Sequence, residues 1–103
     1  MKIVAVTACP TGIAHTYMAA VELKKAAQQL GVQIMVETQG AMGIENPLSV
    51  QDIGRADVVL IASDIEIEHR ARFTGSKIHC VTIEDVLTDP ISVIKRCEAF
   101  SQA

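Results

Sequence analysis

Two short runs constrain this chain more than anything else in it. Residues 3–6 (IVAV) and 57–62 (DVVLIA) are continuous aliphatic stretches rich in β-branched side chains, with no polar residue alternating through them. A strand that is apolar on both faces has to be covered on both faces, which is the condition inside a parallel sheet. Parallel neighbours need long crossover connections, and the intervening sequence supplies helical material for them. Over residues 14–30, Thr16, Ala19, Ala20, Leu23, Ala26, Ala27 and Leu30 fall on one stripe at helical spacing, while Glu22, Lys25 and Gln29 face away. Gly31 follows as the expected left-handed stop.

Two further helices announce themselves by their starts. Ser49 with Asp52 resembles a capping box for a short helix over residues 50–55, and Asp89–Pro90 supplies an N-cap and first helical residue for a last helix running to about Ser101. Weaker strands come from Val32, Ile34 and Val36, alternating with Gln33 and Met35, and from Ile78 and Cys80 with an extension over residues 81–83, and both are expected nearer the sheet edges. The expectation is therefore an α/β fold: a single open four-stranded parallel sheet in the order 2-1-3-4, Rossmann-like, with right-handed crossovers and helices on both faces. A length of 103 residues makes residues 1–103 a single domain. Residues 38–49 (TQGAMGIENPLS) read as a long irregular connection of the kind that often carries function.

A net charge of −3, with no basic cluster longer than Lys24–Lys25, gives no field for attracting a phosphate backbone, so nucleic acid is not an expected partner. No run approaches the ~18 apolar residues of a membrane span, and the apolar opening after Lys2 is too short for a signal peptide. Direct membrane insertion is thus not expected, and the expected location is the cytoplasm. Cys9, Cys80 and Cys97 are odd in number and lack CxxC or His/Cys ligand spacing, which argues against a disulfide framework and a zinc site. No metal or cofactor is expected.

The first expected strand ends at a thiol. Cys9 is followed at once by Pro10, Thr11, Gly12, Ile13 and Ala14, which lead into the first helix at His15 and Thr16. The carboxyl end of a central strand is where open α/β sheets bind ligands, particularly where strand order reverses. Backbone N–H groups and the positive end of the helix dipole cradle an anion there and lower a thiol pKa below its free value of about 8.5. A buried filler is the bland alternative for any cysteine, but the position before Pro and Gly favours a nucleophile. The stretch contains neither GxGxxG nor GxxxxGK[ST], so nucleotide binding is disfavoured. Its spacing matches the C-x5-R-[ST] loop of cysteine-dependent phosphatases, with His15 standing where arginine is required. One imidazole does not reproduce the bidentate guanidinium fork that promotes hydrolysis, so the loop is expected to hold a phosphoryl group rather than release it to water.

Among the other candidates, His15 is read as a phosphate contact, an aid to proton balance or a loop cap, and Thr11 and Thr16 as phosphate donors or turn and capping residues. Ser63–Asp64 is read as a turn or N-cap, with a crevice wall as the alternative. His69 is read as solvated surface, and His79, Cys80 and Cys97 as packing.

CPTGIAHT after a strand, ETQG at residues 37–40, GIEN at 43–46 and the pair Arg72–Phe73 closely resemble the fructose-type enzyme IIB domains of the bacterial phosphoenolpyruvate-dependent sugar phosphotransferase system. The resemblance runs in order along essentially the whole chain and is loose from Thr74 onward. It implies a relay in which an enzyme IIA phosphohistidine domain phosphorylates Cys9, residues 10–16 form the phosphate loop, and the group passes to a fructose-like sugar in a membrane enzyme IIC partner. That implies residence at the inner face of the membrane through IIC. A small cysteine-dependent phosphatase is the alternative, with Asp89–Pro90 as a superficial source of a general acid; a thiol sensor is the third reading, weakened by the lack of a resolving cysteine nearby.

Overall fold

The computed structural model describes residues 1–10 and 13–102. Both apolar runs sit side by side at the centre of a sheet. β1 (Lys2–Ala8) pairs in parallel with β4 (Val58–Ser63) on one side and with β2 (Gln33–Gly40) on the other. Beyond β4 lies β5 (Ile78–Val81), also parallel. These four strands stand in the expected order, but the sheet is not the expected all-parallel four. A short strand β3 (Gly43–Glu45) adds an antiparallel edge, giving five strands in the order β3-β2-β1-β4-β5.

The fifth strand lies in the stretch expected to be an irregular loop. β2 continues to Gly40, reverses through Ala41 and Met42, and returns at Gly43, with Gly40 paired to Gly43. Gly43 takes φ 89, a left-handed conformation suited to glycine, and Asn46 leaves β3 at φ 53. Three residues are too few to display an alternation pattern, so the hairpin was invisible as a strand signal.

Alternation along β1 divides the core in two. Ile3 and Ala5, with Val58, Leu60 and Ala62 of β4, face α1 (Ala14–Leu30), α3 (Ile83–Thr88) and α4 (Pro90–Ser101). Val4, Val6 and Ala8, with Val59 and Ile61, face the smaller layer of Leu48, Ile53 of α2 (Val50–Arg55), Ile67 and Phe73. Helices thus cover both faces, as expected. α1 buries the expected stripe, and Gly31 closes it at φ 69. Ser49 and Asp52 form a complete capping box on α2, and Asp89 caps α4 with Pro90 in its first turn. The run proposed to extend the last strand through residues 81–83 instead ends at Val81, because Thr82 and Asp85 form a second capping box and start α3.

One buried ion pair fastens the smaller layer to the sheet. Glu37 of β2 is fully buried, and both its oxygens are held by the guanidinium fork of Arg72, at 2.8 and 2.9 Å. The Leu48 N–H donates to Oε1 at 2.8 Å and the Gln39 amide to Oε2 at 2.8 Å. Arg72 is itself fixed, donating from Nε to the His69 carbonyl at 2.8 Å and lying over the Phe73 ring at 4.8 Å. Burial opposes ionisation of Glu37, but the bonds from Arg72, Gln39 and Leu48 outweigh it and hold the carboxyl below its ordinary value.

Removing the cation strands a buried carboxylate, so Arg72→Ala should destabilise the fold by about 3–5 kcal/mol in urea unfolding. Because the folded pKa of Glu37 is the lower one, its stabilisation is complete above the ordinary carboxylate pKa of 4.5 and disappears as pH falls through the folded value. The loss of stability between neutral pH and about pH 3 should be smaller in Glu37→Gln than in the parent; an unchanged acid profile would place the pH sensitivity elsewhere.

Candidate crevice at the carboxyl end of the sheet

β1 is the strand from which neighbouring connections depart in opposite directions, so its carboxyl end opens a crevice between the exits of β2 and β4. A cavity of about 410 Å³ occupies this place. Cys9 and Pro10 form its base, the β2–β3 hairpin from Gln39 to Ile44 forms one wall, and Ile65, Glu66 and Glu68 form the other. Gln39 ties the walls together: its amide oxygen accepts the Glu68 N–H at 2.8 Å, and its amide nitrogen donates to the Glu68 carbonyl at 3.1 Å. The same amide donates to Glu37, so the buried ion pair behind the hairpin sets where this wall stands. On the outer side, the Tyr17 hydroxyl of α1 donates to Glu45 of β3 at 2.8 Å, an interaction that raises the phenol's pKa.

The sequence candidates are placed as follows. Cys9 lies immediately beyond β1 and continues its α1-facing side, so only 5% of it is exposed. The alternation that points Ile3 and Ala5 into the main core points this thiol the same way, while it still borders the crevice. Pro10 is exposed and lines the cavity beside it. Thr11 and Gly12 lie outside the described residues. Ile13 is the N-cap of α1, 61% exposed, and provides no side-chain cap. Ala14 and His15 occupy the first turn, both exposed, and no acidic residue is present there to offset the positive end of the helix.

Thr16, read as a phosphate donor or a capping residue, makes a bond of another kind in the unphosphorylated protein. It is fully buried, and its hydroxyl donates to Cys9 Sγ at 3.1 Å. Its carbonyl in turn accepts the hydroxyl of Thr7, another fully buried side chain, at 3.0 Å. Thr7 and Glu68 were not singled out in the sequence, and Gln39 entered only as part of the ETQG motif. The available signal was spacing: Thr7 is two residues before Cys9 and Gln39 two after Glu37, so each shares a strand face with its motif residue.

The remaining candidates are structural. Ser63 closes a local turn, accepting the Ile65 N–H at 3.0 Å, and Asp64 accepts the Ile83 N–H at 3.3 Å, receiving the start of α3. His69 precedes the 3₁₀ turn Arg70–Phe73 at φ 59 and contributes its carbonyl to Arg72. His79 packs its ring against Phe100, and burial lowers its pKa. Cys97 sits in the main core, where burial pushes its thiol up to about 12. Cys80, read as packing, is exposed on the edge strand β5. Among the described residues, no three His, Cys, Asp or Glu side chains converge on a point fit for a metal ion.

The family model described as "PTS system, Lactose/Cellobiose specific IIB subunit" matches residues 4–96. The chain is 46% identical over 98 residues to the PTS system fructose-like EIIB component 2 of Escherichia coli strain K12, covering 95% of this chain and 92% of that protein. It is 45% identical over 95 residues to part of the PTS system fructose-specific EIIABC component of Bacillus subtilis strain 168, covering 92% of this chain and 15% of the larger protein. The crystal structure of a predicted fructose-specific IIB from Escherichia coli superimposes with a TM-score of 0.93 at 41% identity, covering 99% of this chain and 90% of that one. The strand-exit thiol, the hairpin wall and the buried Glu37–Arg72 pair are therefore set in the fold of the enzyme IIB family of the sugar phosphotransferase system, to whose fructose-type group this chain belongs.

Proposed function

We propose that this chain, residues 1–103 acting as a single enzyme IIB domain, is a phosphoryl carrier that is loaded and discharged at Cys9. The donor is a phosphohistidine on an A-type domain, and the acceptor is a hydroxyl of a fructose-like sugar held by a membrane C-type partner at the inner face of the membrane. The observation that carries this reading is the position of Cys9: a thiol at the base of the switch-point crevice, receiving a hydrogen bond from Thr16, beside the start of α1, whose N-cap Ile13 provides no side-chain cap. The fused A, B and C components in the name of the Bacillus relative support the choice of partners. Among the described residues, no helix is long and apolar enough to cross a membrane, and in the proposed cycle the sugar is reached by docking on the C-type partner.

The chemistry balances without a further reactant. On loading, the Cys9 thiolate attacks phosphorus, the S–P bond forms, the N–P bond breaks, and the departing imidazole takes up a proton. On discharge, a sugar oxygen attacks, the O–P bond forms, the S–P electron pair returns to sulfur, and the hydroxyl proton leaves to water. Residues 10–16 are the proposed phosphate loop, in which backbone N–H groups at the helix start supply charge stabilisation.

The phosphatase alternative gains no support. The arginine position of the phosphatase loop holds His15, and Arg72 is committed to Glu37. Asp89, the superficial candidate for a general acid, accepts the Ser92 N–H and hydroxyl as a helix cap, bonds that lower its pKa and keep it ionised.

Incubation with a labelled A-type donor should give stable protein-bound phosphate, and Cys9→Ser should reduce transfer to sugar by about three orders of magnitude or more while remaining folded. Cys80→Ser should retain transfer. Acid-labile label on a histidine, with Cys9→Ser still active, would remove the assignment. His15→Arg should shorten the lifetime of labelled phosphocysteine in water, because a planar five-donor group then approaches the phosphoryl oxygens. Decay at equal loading without acceptor measures this, and an equal or longer lifetime would show that something other than the missing guanidinium restrains hydrolysis.

A further inference from the structure

Resting on the assignment of Cys9 as the carrier, we propose that Thr16 is a catalytic residue: its hydroxyl holds the Cys9 sulfur as a thiolate between loadings and stabilises that sulfur as the leaving group when the phosphoryl group departs to sugar. The hydroxyl was expected to serve phosphate or the backbone. Instead it points at sulfur, at 3.1 Å, from a fully buried side chain. A thiolate has no proton to give, so in that state the hydroxyl has to be the donor. Water does not compete for it, since Thr16 is closed off from solvent.

The placement is enforced rather than incidental. A threonine inside a helix ordinarily turns its hydroxyl back on a carbonyl three or four residues earlier. Thr16 is the third residue of α1, and its carbonyl is anchored by the buried Thr7 hydroxyl. Thr7 stands on β1 two residues before Cys9, on the same face, so one strand fixes both the sulfur and the backbone of its donor. Thr7 is accordingly a positioning residue.

This arrangement discriminates between the two states of the carrier. The anionic sulfur is a good acceptor, whereas sulfur esterified to phosphorus is a weak one. A hydrogen bond made mainly to the thiolate stabilises the discharged protein, so it eases departure of the phosphoryl group and opposes its accumulation. Glu66 and Glu68 on the crevice wall act against the thiolate, and His15 stands one position before Thr16 on the helix that covers the sulfur. The hydroxyl counters the acidic wall without adding a charge that would bind the phosphoryl group and retain it.

The test uses Thr16→Val, which keeps the shape and removes the donor, and Thr16→Ser, which keeps the donor, both in a Cys80→Ser background. Alkylation of Cys9 by iodoacetamide across pH reports the thiolate, and labelled phosphate from an A-type donor reports loading and discharge. Thr16→Val should move the alkylation midpoint up by about one pH unit and slow discharge to sugar about tenfold, while its equilibrium loading rises. Thr16→Ser should keep the low midpoint, and Thr7→Val should shift it in the same direction as Thr16→Val but by less. If Thr16→Val does not fold, Thr16→Ala against Thr16→Ser isolates the hydroxyl, since both lack the methyl group. Unchanged alkylation and discharge would overturn the proposal. So would reduced loading with unchanged alkylation, which would assign the hydroxyl to the phosphoryl group. A parent protein that takes no label on cysteine would instead overturn the carrier assignment itself.

Discussion

The Glu37–Arg72 pair is the interaction on which the shape of the crevice depends. A carboxylate with no solvent exposure inside a sheet is costly unless its charge and its lone pairs are answered. Here the answer comes from a bidentate guanidinium, a backbone N–H and a side-chain amide together. Each donor belongs to a different segment: the turn before α2, the end of β2 and the 3₁₀ turn after β4. Satisfying one buried charge thereby fixes three connections at once, and Gln39 carries that order forward to the wall facing Cys9.

The opposite side of the crevice is built on different physics. Cys9 and Thr16 are held by alternation along β1 and by the apolar stripe of α1, with Thr7 joining the two. One side is thus positioned by a charged network and the other by core packing. A carrier has to bind a phosphoryl group long enough to pass it on, yet release it readily to the next acceptor. In the proposed cycle, helix N–H groups and a neutral hydroxyl meet that requirement better than a guanidinium, which would favour the charge that builds up during hydrolysis.

Much of this was legible in the chain. The unbroken runs at residues 3–6 and 57–62 indicated central strands; the stripe from Thr16 to Ala27 indicated the face of α1; Ser49–Asp52 and Asp89–Pro90 marked two helix starts. The antiparallel β3 was missed because three residues carry no periodicity. α3 was missed although Thr82 and Asp85 spell the same capping signal that was recognised at Ser49, because Val81 and Ile83 around it imitate a strand. At the site, position pointed to Cys9, but the partner of Thr16 depended on how a helix turn lies against a strand end. The motifs ETQG and Arg72–Phe73 were visible as a resemblance, whereas their meeting as one ion pair 35 residues apart is a property of the folded chain.

The central claim is that the phosphoryl group resides on the sulfur of Cys9. Phosphorus NMR of the protein after reaction with a phosphorylated A-type domain tests it most directly, because S-phosphate and N-phosphate resonate in separate ranges and differ in acid stability. The account predicts an S-phosphate resonance that is absent when Cys9 has first been alkylated and that is replaced by sugar phosphate on addition of the C-type partner and sugar. An N-phosphate resonance that survives alkylation of Cys9 would contradict it.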